Sequence, residues 1–208
     1  MLTPHRKPQR YHTDRAELHE LLDEALVCHL ATVVGGMPQV IPTYHARIGE
    51  MLYLHASTGS GTGLRAKDDE VTVSVAVTLL DGLVYSRTAT DHSMNYRSAV
   101  IHGRAHGVRD VDVRRRVTAA LIDKVAAGRS AEVAPPTAAE DAATAMLALG
   151  LDHWTFKRRT GGVTDGPELQ HVPTWAGVVP VKLVAQAPEP DAGVDLPAPP
   201  LPVHLVSP

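Results

Sequence analysis

The sequence is poor in cysteine and in aromatic residues. Its single cysteine, Cys28, excludes an internal disulfide framework, so we expect a protein of the reducing cytoplasm. Aromatic residues make up only 4% of the chain, which leaves Val, Leu and Ala to fill the core. Because β-branched residues pack well on a pleated sheet, this composition favours a β-rich fold.

Strong net charge and long apolar runs are also missing. The formal net charge of −3 offers no general attraction to nucleic acid or to an anionic membrane. No apolar run approaches the roughly 20 residues that a membrane helix needs. Residues 1–12 are basic and polar with no apolar segment behind them, so we expect no secretory signal.

The length and the apolar pattern indicate one β-rich domain. At 208 residues the chain can bury its own core, and we expect an arm at 1–12, a domain at 13–185 and a Pro-rich extended tail at 186–208. Helices are predicted over 13–26, 110–128 and 135–150, and strands over 27–34, 39–48, 51–57, 96–108 and 151–162. Strands in hairpin order with few helices predict a small antiparallel barrel of roughly six strands.

The segment 70–87 is predicted to hold two more strands around a turn at Asp81-Gly82. In its first half, four valines from Val71 to Val77 alternate with Thr, Ser and Ala. This period of two predicts a strand with one apolar face and one face that is small or hydroxylated.

A Ser-, Thr- and Gly-rich stretch, STGSGTG, occupies residues 57–63 and is followed by Arg65 and Lys67. Its glycines allow a close approach of the backbone, and its hydroxyls and the cations behind it suit a phosphate. The same composition is also typical of an ordinary flexible connection between strands.

Four blocks in fixed order carry a family resemblance: LDEALVCHLATV, VIPTYHARIGEMLYLHAST, HSMNYRSAVIHGRA and KRRTGGVTDGPE…VPTWAGVVP. Together they resemble the flavin-nucleotide-binding relatives of pyridoxamine 5'-phosphate oxidase, which include the nitroimidazole-resistance proteins. The similarity runs from about Asp14 to Lys182. It implies a mainly β, six-stranded split barrel that works as a homodimer and holds FMN in grooves at the subunit interface.

The resemblance also implies which residues contact FMN. Those near the phosphate are His55, Ser57, Thr58, Ser60, Arg65 and Lys67; those along the ring are Val40, Ile41, Pro42, Thr43 and Tyr44; those near the ring or the partner subunit are Asn95, Tyr96, Arg97 and Ser98. Arg159 lies where the last strand approaches the cofactor of the other subunit and is a candidate to contact the phosphate or the substrate. Relatives commonly carry an arginine directly after the serine aligned with Ser60, but this chain has Gly61. The lost contact corresponds to roughly 1.5–3 kcal/mol, so retention of FMN is in question.

The implied activity is that of a flavin-dependent reductase or oxidase of an unidentified small molecule, with a nicotinamide or deazaflavin as hydride donor. No catalytic residue is assigned, because the flavin supplies the redox chemistry. A non-catalytic flavin-binding protein or an apo relative stays an alternative. Pyridoxamine 5'-phosphate oxidase itself is disfavoured, because Tyr44 stands where the oxidase has a lysine and no Arg-x-His pair follows Trp154.

Haem binding is a further alternative, with His45, His55 or His102 as ligand. The 12 histidines of the chain show no spacing typical of a metal site, so no metal is predicted.

Overall fold

Nine antiparallel strands and three α-helices lie in residues 7–57 and 70–206, the part of the chain that this computed structural model describes. The helices are α1 (Arg15–Glu24), α2 (Val111–Val125) and α3 (Ala138–Ala143). The strands are β1 (Tyr11–His12), β2 (Val27–Val34), β3 (Met37–Ile48), β4 (Met51–Ser57), β5 (Val71–Tyr85), β6 (Ser93–Gly107), β7 (Thr144–Gly150), β8 (Trp154–Arg159) and β9 (Gly177–Pro180).

Six of the strands close into a ring. They pair in the order β6-β7-β4-β3-β2-β5, and β5 pairs with β6 again, so the sheet returns to its start. Strands β8 and β1 extend the sheet outward from β6, and β9 extends it from β5. The predicted fold class, a mainly β six-stranded barrel with peripheral helices, is confirmed.

The barrel interior is filled by aliphatic side chains. The four alternating valines of β5, from Val71 to Val77, are at most 7% exposed and pack with Leu147, Leu149 and Phe156. Helix α1 begins at Asp14, whose side chain accepts a hydrogen bond from Ala16 N. It buries its leucines, Leu18, Leu21 and Leu22, against the same core.

Helix α2 covers a second, smaller core on the outside of the ring. Val117 and Leu121 pack there against Met146 of β7 and Ala46 of β3. Asp110 caps the helix by accepting from Val113 N at 2.9 Å. The strip of β3 next to α2 is therefore covered, in contrast to the first half of that strand.

Val71–Tyr85 is one strand, so the prediction of two strands around a turn at Asp81-Gly82 was wrong. Strand β5 continues through this point with a shift in its pairing to β6 between Leu80 and Gly82. Strand β9 pairs with the other edge of the same segment, and a Cβ on Gly82 would lie 3.2 Å from Val179 O. The glycine therefore permits close strand approach at an irregularity rather than a chain reversal.

The helix predicted over 135–150 was wrong in its second half. Helix α3 ends at Ala143, and Thr144–Gly150 is a strand of the ring, paired along its whole length with β4. Ala, Met and Leu favour helices, but tertiary burial from Ala145 to Leu149 overrides that preference. Strands β1 and β9 were not predicted, since each is short.

The C-terminal segment after β9 runs back along the barrel with one 3₁₀ turn, Val203–Leu205. Ala185 N donates to Leu205 O at 2.9 Å, and Lys182 Nζ donates to Val206 O at 3.0 Å. Among the described residues, none of the helices is both long and apolar enough to span a membrane.

Candidate functional site

The ring of strands is split along β3. This strand pairs with β2 from Met37 to Tyr44, but its pairing with β4 begins only at His45. In the described part of the chain, the other edge of Met37–Tyr44 therefore has no strand beside it. Pro42, which lacks an N–H, lies in this free edge. The backbone groups of this free edge can donate hydrogen bonds to a bound molecule and accept hydrogen bonds from it.

The residues predicted to line the flavin ring fall on this edge, but their side chains differ in role. Val40 is 63% exposed and Ile41 is 36% exposed. The Thr43 hydroxyl donates to His55 O. The Tyr44 hydroxyl donates to Leu121 O at 2.6 Å, and burial raises the pKa of this phenol. Tyr44 therefore anchors α2, whereas Val40 and Ile41 are free to contact a ligand.

The outward side of β2, β3, β5 and β6 forms one continuous surface, because residues directly opposite in an antiparallel pair share a face. We call this surface the open face; it comprises Val27, His29, Ala31 and Val33 of β2, Pro38, Val40 and Pro42 of β3, Ser74, Ala76, Thr78 and Leu80 of β5, and Met94, Tyr96, Ser98, Val100 and His102 of β6. Its large apolar residues are well exposed, with Val27 at 53%, Val33 at 55% and Met94 at 52%. A surface of this kind is typical of an interaction site.

Of the predicted site residues on β6, Tyr96 and Ser98 lie on the open face. Arg97 points to the opposite side of β6 and pairs with carboxylates: its Nη2 lies 2.9 Å from Asp81 Oδ1 and 3.0 Å from Glu24 Oε1. These hydrogen bonds, first to Glu24 and then to Asp81, raise the pKa of Arg97. The structure thus gives Arg97 an ion-pairing role, at the wall of a cavity of about 680 Å³ that the returning C-terminal segment also lines.

Arg159 is a buried cation with neutral partners. It is 8% exposed; its Nη1 donates to Asn95 Oδ1, and its Nη2 donates to Gly162 O at 2.9 Å. Asn95 Nδ2 donates to Gly161 O at 3.0 Å, so Asn95 and Arg159 together hold this turn. Burial and the nearby charge of Arg10 lower the pKa of Arg159.

A second cation lies at the same edge of the open face. Arg159 is opposite Tyr96, and Lys157 is opposite Ser98, in the pairing of β6 with β8. Lys157 Nζ lies 4.6 Å from the ring centroid of Tyr11. We call Arg10, Lys157 and Arg159 the basic corner. Its accumulated positive charge suits an anion such as a phosphate group.

His102 has one ring nitrogen held and the other buried without a partner. Its Nδ1 lies 2.9 Å from Ser74 Oγ, directly across the β5–β6 ladder. Within the described residues, its Nε2 is buried and has no hydrogen-bond partner. The sequence named His102 as one haem-ligand candidate of three, but it did not identify Ser74, whose only signal was the hydroxylated face of its strand.

The other two histidines named from the sequence differ from His102. His45 is fully buried, with Nε2 3.0 Å from Leu22 O and 3.1 Å from Lys124 Nζ. Burial and then Lys124 lower the pKa of His45 to about 4. His55 is exposed at the end of β4. His45 is therefore a core residue, and His55 lies at the barrel rim.

The predicted phosphate loop is only partly within the described residues. Ser57 is the last residue of β4, and Thr58, Ser60, Arg65 and Lys67 lie outside the described residues. Their assignment to a phosphate stays a prediction. Among the described residues, no group of three His, Cys, Asp or Glu side chains is placed to hold a metal ion.

Comparison with known proteins identifies the family. Residues 14–158 match the family model of pyridoxamine 5'-phosphate oxidase. The flavocytochrome Anf3 from Azotobacter vinelandii is 30% identical, with a TM-score of 0.84 over 97% of this chain and 93% of that one. The FAD and heme binding protein from Mycobacterium smegmatis is 35% identical, with a TM-score of 0.83 over 94% of this chain and 95% of that one.

A more distant structure shares the fold alone. A 5-nitroimidazole antibiotic resistance protein from Bacteroides thetaiotaomicron is 18% identical, with a TM-score of 0.57 over 71% of this chain and 85% of that one. No curated protein sequence matches the chain. The family match and the two full-length relatives confirm the resemblance seen in the sequence, and the chain belongs to the pyridoxamine 5'-phosphate oxidase-like split-barrel family.

Proposed function

We propose that this chain is a redox protein that binds a flavin nucleotide and a haem. The observation that carries the proposal is its similarity to a flavocytochrome and to an FAD- and haem-binding protein. Both are at least 30% identical and match over more than nine tenths of each chain. The similarity therefore includes the surroundings of the barrel as well as the barrel itself. A flavin next to a haem supplies a link between two-electron hydride transfer and one-electron chemistry.

The free edge of β3 supports the flavin half of the proposal. On the edge away from β2, the backbone groups between Val40 and Tyr44 have no strand beside them in the described part of the chain, so they are available to the polar edge of a flavin ring. Exposed Val40 and Ile41 offer apolar contact to its rings. We propose FAD as the nucleotide, because the Mycobacterium smegmatis relative binds FAD. The FMN predicted from the sequence is the competing ligand in the test below.

The basic corner supports binding of the flavin phosphates. Arg159 donates only to neutral oxygens among its described partners, so its charge is not neutralised there. We propose that this corner of one protomer meets the flavin phosphate held by Arg65 and Lys67 of the other. One charge-assisted hydrogen bond to a phosphate contributes roughly 1.5–3 kcal/mol, which is about tenfold to a hundredfold in affinity.

The open face supports a homodimer. Val27, Val33, Val40, Leu80 and Met94 are between 41% and 63% exposed on one sheet surface. Burying a side chain of this size fully contributes roughly 1.5–3 kcal/mol, so a second copy on this surface would gain substantially from these residues alone. The same contact would bring the basic corner of one chain to the free edge of the other.

The haem half of the proposal requires an imidazole that is not used by the fold. His102 on the open face meets this condition, because its Nε2 has no partner among the described residues. Its neighbours across the sheet, Ser74 and Ala31, are small. That Nε2 nitrogen has no exposed surface in the described structure, so a haem on this face would require the residues around His102 to move.

Titration of the purified protein tests the proposal. We expect FAD to bind more tightly than FMN, with a change in flavin absorption and fluorescence, and both to bind at least tenfold more tightly than riboflavin, which lacks phosphate. Tighter binding of FMN than of FAD would overturn the choice of FAD. We expect added haemin to produce a Soret band of protein-bound haem. Absence of flavin binding up to millimolar concentration would overturn the flavin half, and absence of haem uptake would overturn the haem half.

A further inference from the structure

We propose that Trp175 and Tyr85 bind the adenine ring of the flavin dinucleotide. The inference rests on the proposed flavin binding and adds the contact that distinguishes FAD from FMN, since FMN has no adenine. Three observations carry it: the exposure of two aromatic rings, their place beside the open face, and the loop that joins them to the basic corner.

Two large aromatic rings are exposed together, in a chain that is only 4% aromatic. Trp175 is 64% exposed and Tyr85 is 39% exposed. Their ring centroids lie 5.8 Å apart, and the centroids of Tyr85 and His92 lie 6.0 Å apart. We call Tyr85, His92 and Trp175 the aromatic patch. Because burial of an aromatic ring is strongly favourable, rings left exposed in a group are typical of an interaction site.

The aromatic patch continues the open face beyond Met94. Leu83 is opposite Met94 in the β5–β6 pairing, and Tyr85 follows two residues later on the same side of β5. Gly177 is opposite Tyr85 in the β5–β9 pairing, and a Cβ there would lie 3.1 Å from Trp175 Cζ2. The absence of a side chain at Gly177 therefore lets the indole lie against the sheet on the same side as Tyr85.

The loop of residues 160–176 joins the basic corner to the aromatic patch, and hydrogen bonds hold it along its course. At its start, Arg159 Nη2 donates to Gly162 O at 2.9 Å. Farther along, the Asp165 carboxylate, whose side chain is 4% exposed, accepts from Arg87 N at 3.0 Å. The loop is therefore positioned by the fold without a ligand.

The separation of the two regions suits a dinucleotide. Arg159 is opposite Tyr96 in the β6–β8 pairing, and Tyr85 lies one residue beyond Val84, which is opposite Ser93. Four residues along the strands and two strands across correspond to roughly 16 Å between the backbones at Arg159 and Tyr85. The Arg159 side chain, with the phosphates and ribose of FAD, can span this separation.

Charge and burial favour the aromatic patch over other rings as the adenine site. Arg87 follows Tyr85 by two residues, but its Nη1 lies 3.1 Å from Asp165 Oδ2, so its charge is neutralised. The patch therefore suits a neutral planar ring, and the basic corner suits the phosphates. Tyr11 already has Lys157 Nζ 4.6 Å from its ring centroid, and Trp154 is 8% exposed.

Titration of FAD and FMN into wild type, Trp175→Ala and Trp175→Phe tests the inference by flavin fluorescence. Since a base gains affinity by stacking on an aromatic ring, we expect Trp175→Ala to lose roughly fivefold or more in FAD affinity, with little change for FMN. Trp175→Phe keeps a ring and should retain more of the FAD affinity. Leu183→Ala is the matched control, because Leu183 is 68% exposed outside the patch, and it should leave both affinities unchanged.

The outcomes separate the two proposals. If wild type binds neither FAD nor FMN, the flavin half of the proposed function fails. If wild type binds FAD and Trp175→Ala keeps the wild-type ratio of FAD to FMN affinity, the adenine assignment fails while flavin binding stands. An equal loss of affinity for both flavins, with a shift from dimer to monomer in sedimentation, would assign the patch to a contact between two copies instead.

A second variant keeps the test decisive if Trp175→Ala does not fold. Tyr85→Leu removes the other ring of the proposed adenine site and is titrated in the same way. We expect a selective loss of FAD affinity in this variant also, and an unchanged ratio of FAD to FMN affinity would overturn the assignment. Retained FMN binding and circular dichroism show that a variant is folded.

Discussion

A buried lysine is expected to make the stability of this protein increase at alkaline pH. Lys124 Nζ donates to Leu22 O at 2.8 Å and to His45 O at 3.1 Å, both of which are neutral. Burial lowers its pKa from 10.5 to about 8, while Asp23 and Cys28 oppose and Arg47 reinforces this change. Between these two pH values the unfolded chain holds the lysine proton and the folded chain has released it. The free energy of unfolding therefore rises with pH across that window.

The size of the effect follows from the two pKa values. A fall from 10.5 to about 8, at 1.36 kcal/mol per pH unit, corresponds to roughly 3 kcal/mol between neutral pH and pH 10.5. Replacement of Lys124 by Met keeps the length of the side chain but removes the titrating group. The stability of wild type relative to Lys124→Met should therefore increase by about this amount as the pH rises. Groups that do not interact with Lys124 cancel in the difference. Cys28 does interact with Lys124, so both proteins are compared in a Cys28→Ala background.

Urea denaturation at several pH values from 7 to about 10 measures this difference. Lys182→Met is the matched control, because Lys182 is exposed, and it should follow the wild-type profile. Parallel profiles for wild type and Lys124→Met would refute the reasoning, since they would mean that Lys124 keeps the same proton affinity in the folded and unfolded chains. A steeper profile in the variant would contradict it further.

Three other predictions concern the first helix, the phosphate and the open face. Asp14→Ala removes the cap that accepts from Ala16 N and should lower the free energy of unfolding by about 1 kcal/mol in urea denaturation; no change would argue against capping. Arg65→Ala should lower the affinity for flavin nucleotides roughly tenfold to a hundredfold in titrations. An equal loss of affinity for riboflavin would mean that Arg65 does not contact the phosphate. Val40→Asp should shift a dimer toward monomer in sedimentation, whereas Val111→Asp, at a residue 67% exposed on α2, should not; an unchanged dimer in Val40→Asp would place the interface elsewhere.

The strands that could be predicted are those whose alternation of apolar and polar residues is visible within the segment itself. Val27–Val34 and Met51–Ser57 have the predicted bounds, because alternation and flanking turns define them without long-range information. The predicted turn at Asp81-Gly82 failed because an Asp-Gly pair also serves a strand irregularity where another strand approaches. The helix predicted for Thr144–Gly150 was wrong because this segment is buried between β6 and β4, which are distant from it in sequence.

The candidate site was predictable in its backbone but not in its side-chain roles. Pro42 lies where β3 has no strand on one edge, which is the kind of position a residue with no N–H to donate tolerates. Arg97 and Arg159 look equivalent in the sequence, yet Arg97 is neutralised by two carboxylates and Arg159 donates to neutral oxygens. Which carboxylate meets which arginine depends on the packing of α1 against β5 and β6, and no local pattern encodes it.

The register of β5 against β6 decides which side chains lie on the open face, His102 among them. A slip of one residue would turn every side chain of a strand to the opposite face and bury His102 in the aliphatic core. The valines from Val71 to Val77 prevent this slip, because their exposure on the open face would forfeit their burial. Gly103 also opposes the slip, since Leu149 occupies the space that a side chain at that position would need. The residues that fix the core of the barrel thus also set the direction of His102, and stability and cofactor binding depend on the same strand pairing.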